Sequence, residues 1–375
     1  MIFPNVFGAY EARELATLRV GSTLPNGTVI TVESIMAEIR RWAAFFDAAV
    51  QVYENALARR ITDAQGTFGT GTAGGEMQPY TELGETEATR TEHNEWAWGA
   101  PIRRWRDRQV YTEEYLAVAD LATINTDTIA ATNRYLTTRL KMMLRALLRN
   151  TNYDWVDREF PGEGKGAVIP VKALFNADGN TGRMYVNNAV MSTGALQHYL
   201  PSGEAAIDIA NFTIGRSTLR DIGYTGRVVH LISPTDEDAT KALPGFIPLP
   251  PATGDVYART VPAAPTTTAV VTRPQAIGSF SNGGISDGEV VVFPFWPAGY
   301  TFSYDATKAV PLVIRQHARP EFQGFRLIQD QTRTAYGDGD IRNKRWEYIA
   351  GAAVENRANG VVVKATAGAY TVPQI

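Results

Sequence analysis

The feature that most constrains this chain is a long polar segment between two strongly helical ones. It runs from Asp63 to about Ala100 and carries five glycines between residues 66 and 75. Threonine and aromatic residues alternate with these glycines, a pattern typical of a β-hairpin. A loop of this length without a core of its own is uncommon inside a compact domain. We therefore predict an arm that reaches away from the body and lies on another molecule.

The second half of this arm is acidic, which indicates the chemistry of its partner. Between Glu76 and Glu95 there are six glutamates and a single arginine, Arg90. Negative charge of this density steers a segment toward a basic surface, which we expect on an adjacent copy of the chain. A flexible acidic loop is the alternative. The candidate residues of the inter-subunit arm are Glu76, Glu82, Glu85, Glu87, Glu92 and Glu95.

Two clusters of basic residues are candidates for the partner surface. One directly follows the arm. The other lies on a predicted helix with no acidic residue between Asp127 and Asp154, and its cations follow each other at spacings that place them on one side. Such a stripe suits a neighbouring subunit or the phosphates of DNA, in a sequence-independent contact, whereas a solvated helix face is the alternative. The candidates are Arg103, Arg104, Arg106, Arg108, Arg134, Lys141, Arg145 and Arg149.

Helical periodicity frames the arm on both sides. Apolar residues at three- and four-residue spacing predict a helix that is capped by Thr31 and continues to about Arg60. A second helical region is predicted to open at Thr112 and to break near residues 125–127. The pattern then resumes and predicts a long helix to Asn150.

The remainder of the chain has the texture of short strands. Glycine and proline total 53 residues, so much of the chain must be turns and extended segments. A Pro/Thr-rich stretch at about 243–272 is predicted as an insertion without regular structure. The runs predicted as strands are 167–171, 227–232, 289–293, 310–315, 322–329, 346–354 and 360–364.

Composition and spacing argue against an enzyme. The chain has no cysteine, which excludes disulfides, thiolate zinc sites and cysteine nucleophiles. Its four histidines show no metal-ligand spacing. The run Gly162–Gly166 lacks the Ser or Thr of a phosphate loop, and Asp338–Asp340 lacks the register of a calcium loop. We therefore predict no catalytic residue, no cofactor and no metal.

Charge and hydropathy exclude two further classes. The net charge of −3 gives no global basic excess of the kind that marks a dedicated nucleic-acid binder. No segment has the apolar length of a transmembrane span or the layout of a secretory signal, so no membrane partner is expected. The 375 residues are long enough for a large core, and more easily form two linked domains than one.

The order of parts resembles a known family. An arm, a first helix, a long extended loop, a long helix, a β-rich body with an insertion and a set of returning strands follow one another. This order is similar to that of the major capsid proteins of tailed bacteriophages, which have the Johnson or Hong Kong 97-type fold. The closing segments Val310–Arg315, Gly324–Leu327, Tyr348–Arg357 and Gly360–Val363 strengthen the resemblance. It covers nearly the whole chain, and no short motif is diagnostic.

The resemblance implies an α+β fold with an N-terminal arm, an extended β-hairpin loop, a peripheral domain with a long spine helix, and a β-rich axial domain. It places the N-terminal arm at 1–30, the first peripheral helix at 31–62, the extended loop at 63–110, the spine-helix part of the peripheral domain at 111–160, the axial domain at 161–309, the returning peripheral strands at 310–358 and a C-terminal strand and tail at 359–375.

The function implied is that of a major capsid protein of the virion. Copies would assemble in the host cytoplasm into hexamers and pentamers of an icosahedral shell enclosing double-stranded DNA, alongside a portal and, in some systems, a decoration protein. Some relatives begin with a charged coiled-coil scaffolding segment. This sequence begins without one, so we expect a separate scaffolding protein or an already mature form. No lysine lies between Asp63 and Gln109, so covalent cross-linking through the loop is not expected.

Three other classes stay open at this point. A nanocompartment shell protein of the same fold would package a cargo enzyme instead of a genome. A β-rich enzyme would bind a small molecule and stay a small oligomer. A trimeric fibre or tail protein would be a third structural solution, which the long predicted helix disfavours.

Overall fold

The structure, a computed structural model, describes most of the chain. The described residues are 15–23, 29–72, 93–112, 115, 118–157, 166–179, 183–186, 189–249, 256–259, 269–272, 275–282, 285–333 and 340–375. The helices are α1 Val32–Asn55, α2 Leu121–Leu148, α3 Ile209–Asp221 and α4 Glu237–Lys241. The strands are β1 Ala58–Ile61, β2 Gln65–Thr72, β3 His93–Gly99, β4 Arg103–Thr112, β5 Tyr153–Val156, β6 Val168–Val171, β7 Arg183–Val186, β8 Ala189–Ser192, β9 Tyr199–Pro201, β10 Val228–Ile232, β11 Phe246–Pro248, β12 Val256–Arg259, β13 Ala269–Thr272, β14 Gln275–Asn282, β15 Ile285–Val292, β16 Tyr300–Asp305, β17 Leu312–Gln316, β18 Arg326–Arg333, β19 Asp340–Val354 and β20 Val361–Lys364.

The first helix begins at the predicted cap. The Thr31 hydroxyl accepts a hydrogen bond from the backbone N–H of Ser34 at 3.1 Å, and the Ser34 hydroxyl accepts one from the Thr31 N–H at 3.0 Å. This reciprocal pair satisfies two backbone donors that a helix N-terminus otherwise leaves without partners. The helix ends at Asn55 rather than near Arg60, because residues 58–61 pair in parallel with β17 instead.

The second helix is uninterrupted over 28 residues, about 42 Å at the usual rise per residue. The predicted break at 125–127 is therefore wrong, and so is the predicted start, since Thr112 is the last residue of β4. Asp120 caps the helix by accepting a hydrogen bond from a first-turn N–H at 2.7 Å. The Thr126 hydroxyl bonds to the carbonyl oxygen four residues back at 2.9 Å, which lets a residue of low helix propensity sit inside the helix.

One sheet has five strands and is built around the long strand β19. β4 pairs antiparallel with one edge of β19, while β17 and β18 pair with successive parts of its other edge. β1 extends the sheet beyond β17. Helix α2 packs on β19 and α1 on β18. The predicted strands at 310–315, 322–329 and 346–354 are confirmed as β17, β18 and β19.

The second sheet has seven strands in the order β11-β14-β15-β10-β16-β20-β9. The strand predicted near the chain end, β20, lies inside this sheet between β16 and β9. Helix α3 packs across β16 and β20. The approach is so close that a Cβ added at Gly215 would lie 2.2 Å from the Ser303 hydroxyl oxygen. The predicted insertion is not devoid of regular structure, because it contains β11 and the hairpin β12–β13.

A single large cluster of buried apolar side chains joins the two sheets. It includes Phe46 of α1, Leu140 of α2 and Trp346 of β19, and it continues to Leu231 and Phe302 of the seven-stranded sheet. The two sheets therefore share a core. None of the helices in the described part of the chain combines the length and the apolarity that a bilayer crossing requires.

Candidate functional site

The base of the predicted arm is an antiparallel hairpin, β2–β3, that is fixed firmly to the body. Trp96 is buried, and its indole N–H donates to the backbone oxygen of Glu355 at 2.8 Å. The Trp96 ring stacks on Phe68 and meets the edge of Phe175. A Cβ added at Gly66 would lie 2.7 Å from the ring of Trp98, so the glycine permits the two strands to carry bulky indoles. These contacts fix the hairpin β2–β3 to the body of the protein.

The acidic candidates follow in sequence between residues 76 and 95. Glu95, on β3, is exposed. The other five, Glu76, Glu82, Glu85, Glu87 and Glu92, lie outside the described residues.

Most of the first basic cluster has partners inside its own chain. Arg104 and Arg106 of β4 reach the buried carboxylate of Glu347 on β19 at 3.7 and 3.0 Å. Arg326 of β18 binds the same carboxylate, so three guanidinium groups share it. Arg108 also has an interaction partner. These side chains tie three strands of the sheet together.

The second basic cluster divides along α2. Arg134 holds Asp107 of β4 through two hydrogen bonds of 2.9 and 2.6 Å. Lys141 is half-buried and lies apart from the cavity described next. Arg145 and Arg149, at the C-terminal end of the helix, are exposed.

Arg103, Arg145 and Arg149 come together at one cavity, with a fourth cation that the sequence did not indicate. The cavity has a volume of ≈ 450 Å³ and lies where the end of α2, the C-terminal half of β19 and residues 372–375 meet. Lys172, which directly follows β6, is the fourth cation. Its position in the sequence carries no signal, because only the fold brings it beside α2.

A buried ionic cluster was also missed. Arg139, on the inner side of α2, is fully buried and pairs with the fully buried Glu54 of α1 and with Asp47 at 2.6 Å. Arg60 adds a second guanidinium to Glu54 at 3.0 Å. Tyr135 donates its hydroxyl hydrogen to Asp47. The cluster cross-links α1 and α2. Its signal in the sequence is the pair of carboxylates within the apolar helix α1, Asp47 and Glu54.

Two of the four histidines lie inside the fold. His198 and His230 are buried, and burial lowers the pKa of His198 to about 4 and that of His230 to about 3. Their Nδ1 atoms lie 2.7 Å from the backbone oxygen of Gly360 and from the Ser303 hydroxyl, respectively. Over the described ranges, no group of three or more histidine or carboxylate side chains could hold a metal ion.

The two loop motifs weighed in the sequence lie largely beyond what the structure describes. Residues 162–165 fall outside it, and Gly166 follows with a positive φ of 82°. Residues 338 and 339 also fall outside it, and Asp340 begins β19.

Comparison with solved structures identifies the fold. A chain from Mycobacterium phage Patience has 19% sequence identity to this chain and a TM-score of 0.62, over 94% of this chain and 93% of that one. Chains of the bacteriophage PhiM1 mature capsid (10% identity, TM-score 0.42, 84% of this chain and 86% of that one) and of the Cyanophage A-1(L) capsid (14%, 0.42, 86% and 93%) are more distant. No protein family and no curated protein matches the sequence. The protein thus has the α+β fold of the phage Patience chain.

Proposed function

We propose that the protein is the major capsid protein of a tailed bacteriophage. Copies of it form hexamers and pentamers of an icosahedral shell that encloses double-stranded DNA. The observation that carries the proposal is the fold shared with the Mycobacterium phage Patience chain, which extends over 94% of this chain and 93% of the other.

The architecture supports assigning the parts as a Hong Kong 97-type fold. In this proposal α1, α2 and the five-stranded sheet form the peripheral domain, with α2 as the spine helix. The seven-stranded sheet with α3 forms the axial domain, which then includes β20 from the end of the chain. The hairpin β2–β3 is the root of the extended loop.

The charge distribution supports assembly from copies of one chain. A net charge of −3 on 375 residues produces little repulsion between copies. The acidic arm and the basic cavity offer local attraction of opposite sign. The ordering cost of an arm that lies on a neighbour is met only in the assembled shell. In this proposal the enclosed DNA makes sequence-independent contacts, and a separate scaffolding protein and a portal take part in assembly.

The proposal is tested by removing the arm while keeping its root. Replacing residues 73–92 by a short Gly-Ser turn retains both β2 and β3. We expect the intact protein to sediment as large closed particles and the shortened variant to stay a folded subunit or small ring, as measured by light scattering and sedimentation velocity. Particles of unchanged mass from the shortened variant would contradict the role of the arm in assembly.

A second variant keeps the full length of the parent protein and changes only the charge of the arm. Changing Glu82, Glu85 and Glu87 to glutamine keeps the arm but removes three charges. Because exposed charges are screened by salt, assembly should be weakened more at low than at high ionic strength. A loss that does not depend on salt would remove the electrostatic part of the proposal.

A further inference from the structure

The cavity at the end of α2 combines a cationic rim with an apolar floor. Arg103, Arg145, Arg149 and Lys172 line it, and none of the described residues around it is Asp or Glu. Its floor includes Met142, Ala146, Ala350 and Ala352. Alanines at the floor leave room for larger side chains from outside.

Three of the four cations are oriented by neighbouring groups, and none of the four is neutralised by an Asp or Glu side chain of the described residues. The Arg103 guanidinium stacks on Trp155 at 4.4 Å from the ring centre, and that of Arg149 stacks on Tyr153 at 3.9 Å. Arg145 donates to the main-chain carboxylate of Ile375, the last residue of the sequence, at 2.6 Å, so this cation already has one anionic neighbour. Stacking on a ring orients a guanidinium and leaves N–H donors in its plane open to an acceptor. Within the described ranges, no Asp or Glu side chain forms an ion pair with any of the four.

The end of α2 does not use these cations for its own carbonyl groups. The last carbonyls of a helix attract cations when nothing else satisfies them. Here the Tyr370 hydroxyl donates to the Leu148 oxygen at 2.7 Å, and the Tyr199 hydroxyl lies 2.6 Å from the Arg149 oxygen. Tyrosines supplied by distant segments thus leave the two arginines directed at the cavity.

The shape and chemistry of the cavity favour a peptide over a nucleic acid. The phosphates of a DNA duplex are spaced along a long rod and are met by cations spread along a surface, and they make no use of an apolar floor. A segment that carries both carboxylates and bulky apolar side chains uses both features. Pockets of a few hundred Å³ with an apolar lining and a few polar groups are typical binding sites.

We propose that this cavity binds residues 76–85 of a second copy of the chain. That segment reads Glu-Met-Gln-Pro-Tyr-Thr-Glu-Leu-Gly-Glu, with three carboxylates and the bulky apolar residues Met77, Tyr80 and Leu83. The carboxylates bind the four cations, and the apolar side chains fill the space above the alanines. The inference rests on the proposed shell function. Of the eight basic residues predicted from sequence it retains Arg103, Arg145 and Arg149, and it adds Lys172.

The test measures binding of a synthetic peptide with the sequence of residues 76–85, carrying fluorescein, to the full-length protein by fluorescence polarisation. The variant Arg145→Gln/Arg149→Gln should bind it about tenfold more weakly, as expected when two partly exposed charge pairs are lost. Arg134→Gln is the matched control, since Arg134 lies on the same helix but is held by Asp107. It should bind as the parent protein does. Equal weakening by both variants, or by neither, would overturn the proposal.

Two altered peptides separate the contributions of charge and apolar contact. One has glutamine at the three glutamates, and the other has serine at Met77, Tyr80 and Leu83; each should bind several-fold more weakly. If a short DNA duplex binds in a cavity-dependent manner and the peptide does not, the site is a phosphate site and the proposal is wrong. Should the double variant fail to fold by circular dichroism, Arg103→Gln and Lys172→Gln, both on the rim, replace it.

Light scattering on the same samples keeps this inference distinct from the shell proposal. Shells that form without any peptide binding would overturn the cavity assignment alone. Cavity-dependent peptide binding by a protein that never assembles, even with candidate scaffolds, would leave the docking site standing and remove the shell function.

Discussion

The two sheets solve the problem of buried polar groups in different ways. The five-stranded sheet and its helices bury charges in pairs, with Arg139 on Glu54 and Arg315 on Asp157 at 3.3 Å. The seven-stranded sheet buries the carboxylate of Asp305 under hydrogen bonds from the N–H groups of Gly226 and Thr307, at 2.8 Å each. It also buries His230 against Ser303, with the pKa of the imidazole lowered so that it carries no charge at neutral pH. Removing one partner of a buried ion pair destabilises the fold because the other charge stays buried without compensation. A buried neutral histidine destabilises the fold when it must take up a proton. The two halves should therefore respond to different perturbations.

The largest effect is expected in the charged half. Changing Arg139 to methionine leaves Glu54 and Asp47 without their shared buried partner. Breaking a buried pair in this way typically costs 3–5 kcal/mol, so we expect a loss of about that size in the free energy of unfolding at pH 7. Urea denaturation measures it. Adding Glu54→Gln should recover part of the loss, and a loss below about 1 kcal/mol would show that the cluster is not what joins the two helices.

An intermediate effect is expected in the seven-stranded half, on acidification. The folded pKa values of His198 and His230, about 4 and about 3, lie below the usual value near 6.5. Between these limits the unfolded chain binds protons that the folded chain does not, so stability falls as pH falls below about 6.5. The expected loss is about 2 kcal/mol per histidine between pH 7 and pH 5. Urea denaturation across this range measures the slope.

The variant His230→Gln separates the contribution of His230 to the pH dependence of stability from the contribution of the carboxylates. Its slope with pH should be shallower than that of the parent protein, whatever its stability at pH 7. An unchanged slope would show that His230 takes up its proton in the folded state, and the contrast between the two sheets would then be lost.

The smallest effect is expected where the charged half meets solvent. Arg134 and Asp107 are partly exposed, with 55% and 32% of their side chains accessible. Exposed pairs contribute about 0–1 kcal/mol, and salt screens them. Arg134→Gln should therefore change the free energy of unfolding by less than about 1 kcal/mol, and less at high salt than at low salt. If Arg134→Gln lowers the free energy of unfolding as much as Arg139→Met does, burial does not explain the difference expected between Arg134 and Arg139.

The sequence predicted correctly those helix caps and strands whose signals lie in adjacent residues. The cap at Thr31 is confirmed, and the strands β6, β10, β15, β17 and β20 were predicted from runs of β-branched residues. The supposed break at 125–127 was wrong because threonine hydroxyls can bond to the preceding turn, a contact that propensity alone does not count. The predicted helix start at Thr112 was wrong because this residue pairs with Ile341 of β19. That partner lies far away in the chain, so local sequence does not indicate the strand.

Contacts between distant residues could not be read from spacing. The regular spacing of Arg134, Arg145 and Arg149 is real, but the first of them is held by Asp107 and only the other two face the cavity. Arg139 lies between them and points to the opposite side, onto Glu54, which is 85 residues away. The hairpin at the base of the arm was predicted from glycine and aromatic residues, whereas its attachment through Trp96 to Glu355 was not.

Electron microscopy of the purified full-length protein shows directly whether copies of this chain form a shell. We expect closed icosahedral shells, or rings of five and six subunits when the scaffolding protein is missing. A uniform monomer or dimer that persists with candidate scaffolds and under crowding would contradict this expectation.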